Sequence, residues 1–186
     1  MTDWYADLDA TLDAVWRTLE HGVADRTSPA RHPTLATVGP GGAPEVRTVV
    51  LRAAERDSGR LDVHSDVATA KIDEIRAEPR IGVHVWDPHT HLQLRLRGWA
   101  TILTGEPVAE IWRAVPASAR RNYGGAPAPG TPIADPSAHE PAVESDRFAV
   151  VRCTLGEIET LHLGPDRHRR ARFRAADHWR GTWLAP

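Results

Sequence analysis

The sequence predicts a mainly β, α+β fold: a barrel or sandwich of about eight short antiparallel strands, flanked by an N-terminal helix and one or two short helices. Three observations carry that expectation. A helical apolar period is strongest near the N-terminus, in residues 3–24. From residue 34 the apolar residues recur mostly at every second position. Clusters of Gly, Pro and Asp separate these alternating stretches at short intervals, as turns between strands do. The 186 residues suit a single domain. The expected organisation is a helix and linker, residues 1–33, packing on a domain that spans 34–186.

Within residues 3–24, Trp4, Leu8, Leu12, Val15, Trp16, Leu19 and Val23 fall on one helical face, with Asp7, Asp9, Asp13, Arg17 and Glu20 between them. Thr2 or Asp3 serves as the expected cap, and Gly22, Pro29 and Pro33 close the segment. Thr34–Val38 reads as a strand, Gly39-Pro40-Gly41-Gly42 as a turn and Glu45–Ala53 as the next strand. Asp57-Ser58-Gly59 turns the chain into Arg60–Ser65. Residues 66–77 read as a helix capped by Ser65 or Asp66 and ended by Pro79. Arg80–Trp86 and His91–Leu103 form a hairpin, followed by a short helix over Pro107–Val115. Residues 124–145 hold five prolines and three glycines, a composition that suits a lid, an arm or a disordered loop. Strands are then expected at Arg147–Thr154, Glu157–Leu163, Arg169–Arg174 and Trp179–Leu184, with Gly156 in a turn.

A formal charge of −2 disfavours a general nucleic-acid or membrane-surface binder. Cys153 is the sole cysteine, so no internal disulfide or multi-cysteine metal site is expected. No apolar run approaches a membrane span, and the N-terminal residues lack a signal-peptide pattern, so a cytoplasmic location is the expectation. Lys71 is the sole lysine among 23 basic residues.

Phosphate-loop, dinucleotide and serine-nucleophile motifs are absent. His89 and His91 have no further ligand in view, so no metal is expected. The informative residues are cations where strands bury apolar side chains. Arg47 alternates with Val49 and Leu51, and Arg169 with Ala171 and Phe173. Each must meet a core carboxylate or a ligand anion. Lys71 lies one turn into its expected helix, where helix-end amide groups favour anions. Gln93, Arg95, Arg97 and Trp99 share one face of their strand, either a solvated face or a groove. The set suits a phosphorylated ligand with a flat apolar part. His64, His84 and Tyr123 are candidates for proton transfer, though strand histidines are more often structural, and no catalytic residue is assigned.

Several motifs, in order, resemble the pyridoxamine 5′-phosphate oxidase family. Arg47-Thr-Val-Val-Leu-Arg52 resembles its R-x-V-L-L-K strand. Val63-His64-Ser65-Asp66 stands for F-Y-T-N, Ala70-Lys71 for the Arg-Lys pair, and Glu78-Pro79 for the closing N-P. Leu92-Gln93 through Gly98 resembles R-Q-V-x-x-x-G, and Arg169 through Phe173 and Trp179 to Leu184-Ala185-Pro186 resembles R…F…W…R-L-A-P. The resemblance implies an antiparallel split barrel, a homodimer with FMN between its subunits, and a small-molecule substrate. It implies that Arg47, Ser65 and Lys71 hold the FMN phosphate, with Arg52 also able to serve a phosphate. Thr48, Val49, Val50 and Leu51 would line the flavin, His64 would replace the flavin-side tyrosine, Gln93 would meet the ring edge, and Arg169 would reach the flavin from the partner chain. The family's Tyr-x-x-x-Arg-x-x-x-Ser substrate motif falls near Ile111, Val115 and Ala119, which points to a divergent branch and not to the vitamin oxidase. The resulting expectation is an FMN-dependent oxidoreductase. Alternatives are a split barrel binding deazaflavin or haem, and a flavin-binding protein without turnover.

Overall fold

The computed structural model describes residues 3–186; Thr2, one of the two expected caps, lies outside the described residues. Helix α1 spans Leu8–Ala24, after a separate short turn at Trp4–Ala6. Its cap is Asp7 and not Asp3: the Asp7 carboxylate accepts from the Ala10 amide at 2.8 Å, satisfying a donor that has no partner one turn back. Leu12, Val15, Trp16 and Leu19 are buried. Gly22 does not end the helix. It lies inside it, where an added Cβ would sit 2.7 Å from the Ala30 carbonyl carbon, so its missing side chain lets the following segment pack close.

Nine strands follow. They are β1 (Thr34–Val38), β2 (Pro44–Thr48), β3 (Leu51–Glu55), β4 (Arg60–Asp66), β5 (Arg80–Asp87), β6 (Leu92–Thr104), β7 (Phe148–Leu163), β8 (His168–Arg174) and β9 (Gly181–Leu184). Helix α2 (Ala70–Ala77) joins β4 to β5, and α3 (Ala109–Ala114) and α4 (Ala117–Arg120) follow β6. Every strand pairing is antiparallel, in the order β2-β1-β5-β6-β7-β4-β3, with β8 on β7 and β9 on β8. The mainly β expectation therefore holds.

Three expected elements are redrawn. The single strand over Glu45–Ala53 is two, because the chain leaves β2 at Thr48 and begins β3 at Leu51. Between them the Val49 amide donates to the Pro33 carbonyl at 3.0 Å. The six residues Arg47–Arg52 thus pass from one end of the sheet order to the other. Conversely, the two strands expected around Gly156 are one, β7. Gly156 lies at an irregularity opposite Arg97 and Gly98, not in a turn. An added Cβ there would meet the Trp99 ring at 2.8 Å. Helix α2 begins at Ala70 and not at residue 66, because Asp66 turns back on itself, accepting from the Ala68 amide at 2.7 Å.

The long strands β6 and β7 form the spine. β4 pairs with the first half of β7 and β8 with the second. Leu35, Leu61, Leu94, Leu96, Ile158 and Phe173 are among the side chains filling the core, against which α1 packs. A smaller cluster of Val108, Val115, Tyr123, Phe148 and Val150 seats α3 and the following segment. Residues 124–145 are organised around one carboxylate. Buried Asp66 accepts from the Gly124 amide at 2.9 Å and from Arg147 Nε and Nη2 at 3.0 and 2.9 Å, so both ends of the segment meet on it. No helix among the described residues is long and apolar enough to cross a membrane.

Candidate functional site

Alternation along β2 turns Arg47 the same way as Glu45 and away from the exposed side of Val46 and Thr48. On β4 the same rule puts Ser65 on the core face with Leu61 and Val63. Lys71 is the second residue of α2. These three, from three elements, come together. Lys71 Nζ donates to Ser65 Oγ at 3.2 Å, and Ser65 Oγ lies 2.9 Å from Thr69 Oγ1. Arg47 is close enough to lower the Lys71 pKa, after the larger effect of burial; Glu74 and Asp66 act in the opposite direction.

The sequence reading missed Glu74. Arg47 Nη2 donates to its Oε2 at 2.7 Å, and Arg47 Nη1 and Glu74 both engage Thr37 Oγ1. Of the two anions the sequence allowed for Arg47, a core carboxylate is present. Its signal was present: Glu74 sits between Ile72 and Ile75, on the face of α2 that packs inward. The donor set still suits a phosphate. Lys71 spends one of three protons on Ser65, the hydroxyls of Ser65 and Thr69 lie beside it, and the first amides of α2 have no partner within the helix. Glu74 orients Arg47 and reduces the net charge of the group.

The remaining predicted contacts are spread around this cluster. Val49 and Leu51 are buried in the core, Val50 is half-buried and Thr48 is exposed. Gln93 is half-buried on β6, opposite Trp86 of β5 and Leu161 of β7. Its neighbours on that face, Arg95 and Arg97, are paired with Glu159 and Glu157 of β7, each at 2.7 Å. Arg169 has found its anion three residues upstream: Nη1 and Nη2 donate to the two carboxylate oxygens of Asp166 at 2.9 and 2.7 Å, while its guanidinium lies 4.8 Å from the Tyr5 ring centre. Tyr5 in turn stacks on His162 at 4.2 Å.

Arg52 and His64 face another way. Both line a pocket of about 740 Å³ between the β3–β4 hairpin and the α3–α4 corner, walled by Ile111, Val115 and Ala119. His64 stacks edge-on against Phe148 at 4.9 Å. Burial, and then Arg52, pushes its pKa down to about 4, so the ring is neutral near pH 7. Tyr123 is buried and its hydroxyl pKa raised, chiefly by desolvation. His84 is exposed on β5. Burial pushes the Cys153 thiol up to about 12, which makes it a core residue and a poor nucleophile. Among the described residues no group of His, Cys, Asp and Glu has the arrangement to hold a metal.

Residues 13–104 match the family model described as "Pyridoxamine 5′-phosphate oxidase, FMN-binding domain". The matched segment contains Arg47–Arg52, Ser65, Lys71 and Gln93, and stops short of Arg169. A curated relative, pyridoxine/pyridoxamine 5′-phosphate oxidase 2 of Arabidopsis thaliana, is 33% identical over 88 residues, 46% of this chain and 44% of that protein. The match thus spans less than half the length of that relative. Among solved structures, a pyridoxamine 5′-phosphate oxidase-related, FMN-binding protein of Nostoc punctiforme superposes with a TM-score of 0.78 at 26% identity, covering 94% of this chain and 96% of that one. PhzG of Burkholderia lata, solved with tetrahydrophenazine-1-carboxylic acid, gives 0.77 at 20% identity over 100% and 98%.

Proposed function

The chain belongs to the pyridoxamine 5′-phosphate oxidase-like FMN-binding split-barrel family, and on that premise we propose that it is an FMN-dependent oxidoreductase acting on a small molecule. The observation that carries the proposal is the contact of Lys71 of α2 with Ser65 of β4, with Arg47 of β2 held by Glu74 of the same helix and near enough for its charge to lower the Lys71 pKa. Two cations beside two hydroxyls at the start of a helix make a suitable seat for a phosphate dianion.

FMN, when bound, supplies the redox chemistry. The protein's part is to seat and orient it. Lys71 and Arg47 neutralise the phosphate, and Ser65 adds a hydrogen bond. Val49 and Leu51 have their side chains in the core, so their backbone, with Thr48 and Val50, is left to line the ring. Gln93, half-buried on β6, is the hydrogen-bonding group assigned to the ring edge. In this proposal the protein acts as a homodimer, with FMN between subunits and Arg169 reaching across; its reach requires release from Asp166. Ile111, Val115 and Ala119 offer no phosphate ligand, so the substrate is not a pyridoxine phosphate held in the family's manner.

The test is direct. The purified protein should be yellow, or become so on titration with FMN, and should release FMN on denaturation. A Soret band, or a colourless protein that does not bind added FMN, would refute the assignment.

A further inference from the structure

Glu74 sets the charge of the phosphate seat. Its side chain is 7% exposed and that of Arg47 is 21% exposed. Arg47 Nη2 donates to Glu74 Oε2 at 2.7 Å, and Thr37 Oγ1 bridges the two residues. Charges held this far from water are weakly screened, so each of them is felt at the seat.

The charges there can be counted from each element that packs against it. Helix α2 brings Lys71 and Glu74, β2 brings Arg47 and β4 brings Asp66, and these are the groups whose charges act on Lys71. Asp66 is balanced by Arg147, which donates to it from Nε and Nη2. Asp73, also on α2, is exposed and paired with Arg76. Glu45 shares the face of β2 that carries Arg47, but its side chain lies close beside Gly39, toward the β1–β2 turn. β1 contributes only the Thr37 hydroxyl. Lys71 and Arg47 against Glu74 therefore leave one net positive charge. As donors, Lys71, Arg47 and the two hydroxyls can serve a phosphate dianion; as a charge, the seat balances only half of one.

A phosphomonoester has two charge states close to neutrality, because its second pKa is about 6. The dianion would leave a negative charge in excess at a partly desolvated site, and a like charge so placed favours taking up a proton. The seat also has a use for that proton. Both hydrogen bonds that Glu74 accepts fall on Oε2, and Oε1 accepts none among the described residues, which leaves an acceptor for the hydroxyl of a protonated phosphate.

We propose that Glu74 selects the protonation state of the bound phosphate: the seat takes it as a monoanion, and FMN enters with the uptake of a proton near pH 7. The inference rests on the flavin assignment and deepens it, making Glu74 a specificity-determining residue for the cofactor's charge.

The test titrates the full chain with FMN calorimetrically at pH 6, 7 and 8, in buffers of different ionisation enthalpy, so that proton uptake is read beside affinity. Uptake at pH 7 should approach one proton, and the dissociation constant should rise about tenfold from pH 7 to 8 as the monoanion grows scarcer. Riboflavin 5′-sulfate, a monoanion throughout, should bind equally at the three pH values and take up no proton. Glu74→Gln should bind FMN without proton uptake and with little dependence on pH. A carboxylate that only positioned Arg47 would give a different result on removal, a loss of affinity by the same factor at every pH with proton uptake unchanged. Uptake with the sulfate ester matching that with FMN, or uptake that persists in Glu74→Gln, would overturn the proposal by assigning the proton to Lys71. Failure of the sulfate ester to bind where FMN binds would overturn it as well. The wild-type comparison of the two ligands decides the question if Glu74→Gln fails to fold. FMN binding that is independent of pH in the wild type would remove this inference alone, whereas no FMN binding at any pH would remove the flavin assignment and this inference with it.

Discussion

Replacing Lys71 with alanine separates flavin binding from folding. The ammonium is half-buried, donates to Ser65 Oγ at 3.2 Å, and is held below the usual lysine pKa, first by burial and then by Arg47. Without a phosphate, its removal relieves repulsion from Arg47 and a desolvated charge, so the melting temperature should hold or rise. With a phosphate, the same change removes a charge-assisted hydrogen bond worth about 1.5–3 kcal/mol. That corresponds to roughly a ten- to hundredfold rise in the FMN dissociation constant. Quenching of FMN fluorescence measures the constant, and a thermal melt of the flavin-free protein measures the fold. A variant that binds FMN within about twofold of wild type has lost less than about 0.5 kcal/mol, which would mean that Lys71 does not touch the phosphate. A melting temperature that falls together with affinity would assign Lys71 to the fold instead.

Glu74→Gln should act in the opposite direction, tightening FMN severalfold, because the amide still accepts from Arg47 while a negative charge leaves the phosphate seat; weaker binding would show that the carboxylate is needed to position Arg47. His64 gives the protein a pH dependence. Its folded pKa is about 4 against the ordinary 6.5 of an imidazole, so above about pH 6.5 both states are neutral and stability is complete, whereas between pH 6.5 and 4 the unfolded chain gains a proton that the folded one does not. Stability should fall across that window by on the order of 2 kcal/mol after allowance for solvent screening. His64→Asn should flatten that slope in melts taken across the window, and an unchanged slope would assign the dependence to other groups. Gly98→Ala should destabilise by about 1–3 kcal/mol or more through overpacking, since its Cβ would fall 2.0 Å from the Thr154 carbonyl oxygen; a wild-type urea midpoint would show that the β6–β7 irregularity can shift to admit a methyl.

Local patterning made much of this legible. The 3.6-residue period marked α1, and the glycine and aspartate turns marked the hairpins. The errors came where a local signal has a non-local meaning. Alternation runs unbroken through Val49 and Val50, so nothing local shows that Leu51 joins a different edge from Thr48. Gly156 looks like a turn residue, but it is there to admit the Trp99 ring from the neighbouring strand. The anomalies at Arg47 and Glu74 were each visible while their pairing was not, since the two are 27 residues apart and only the packing of α2 on β1 brings them together. Arg169 was equally visible, and its partner Asp166 was only three residues off, in a turn whose geometry the sequence does not specify.

The passage from β2 to β3 also bears on how the molecule assembles. Hairpins β1–β2 and β3–β4 each form from neighbouring residues, and Val49 and Val50 already tether them. The two ends of the sheet therefore never have to search for each other; their separation is fixed covalently at the outset. The slow event should instead be the arrival of β7, whose contacts with β4 join residues about 90 apart, as between Asp62 and Arg152. Closing a loop of that length carries the entropic cost of topologically distant pairing. Refolding should accordingly proceed from a tethered pair of hairpins that waits for a single late strand, with the cation cluster half-built in the first stage and the pocket beside Arg52 and His64 completed only in the last.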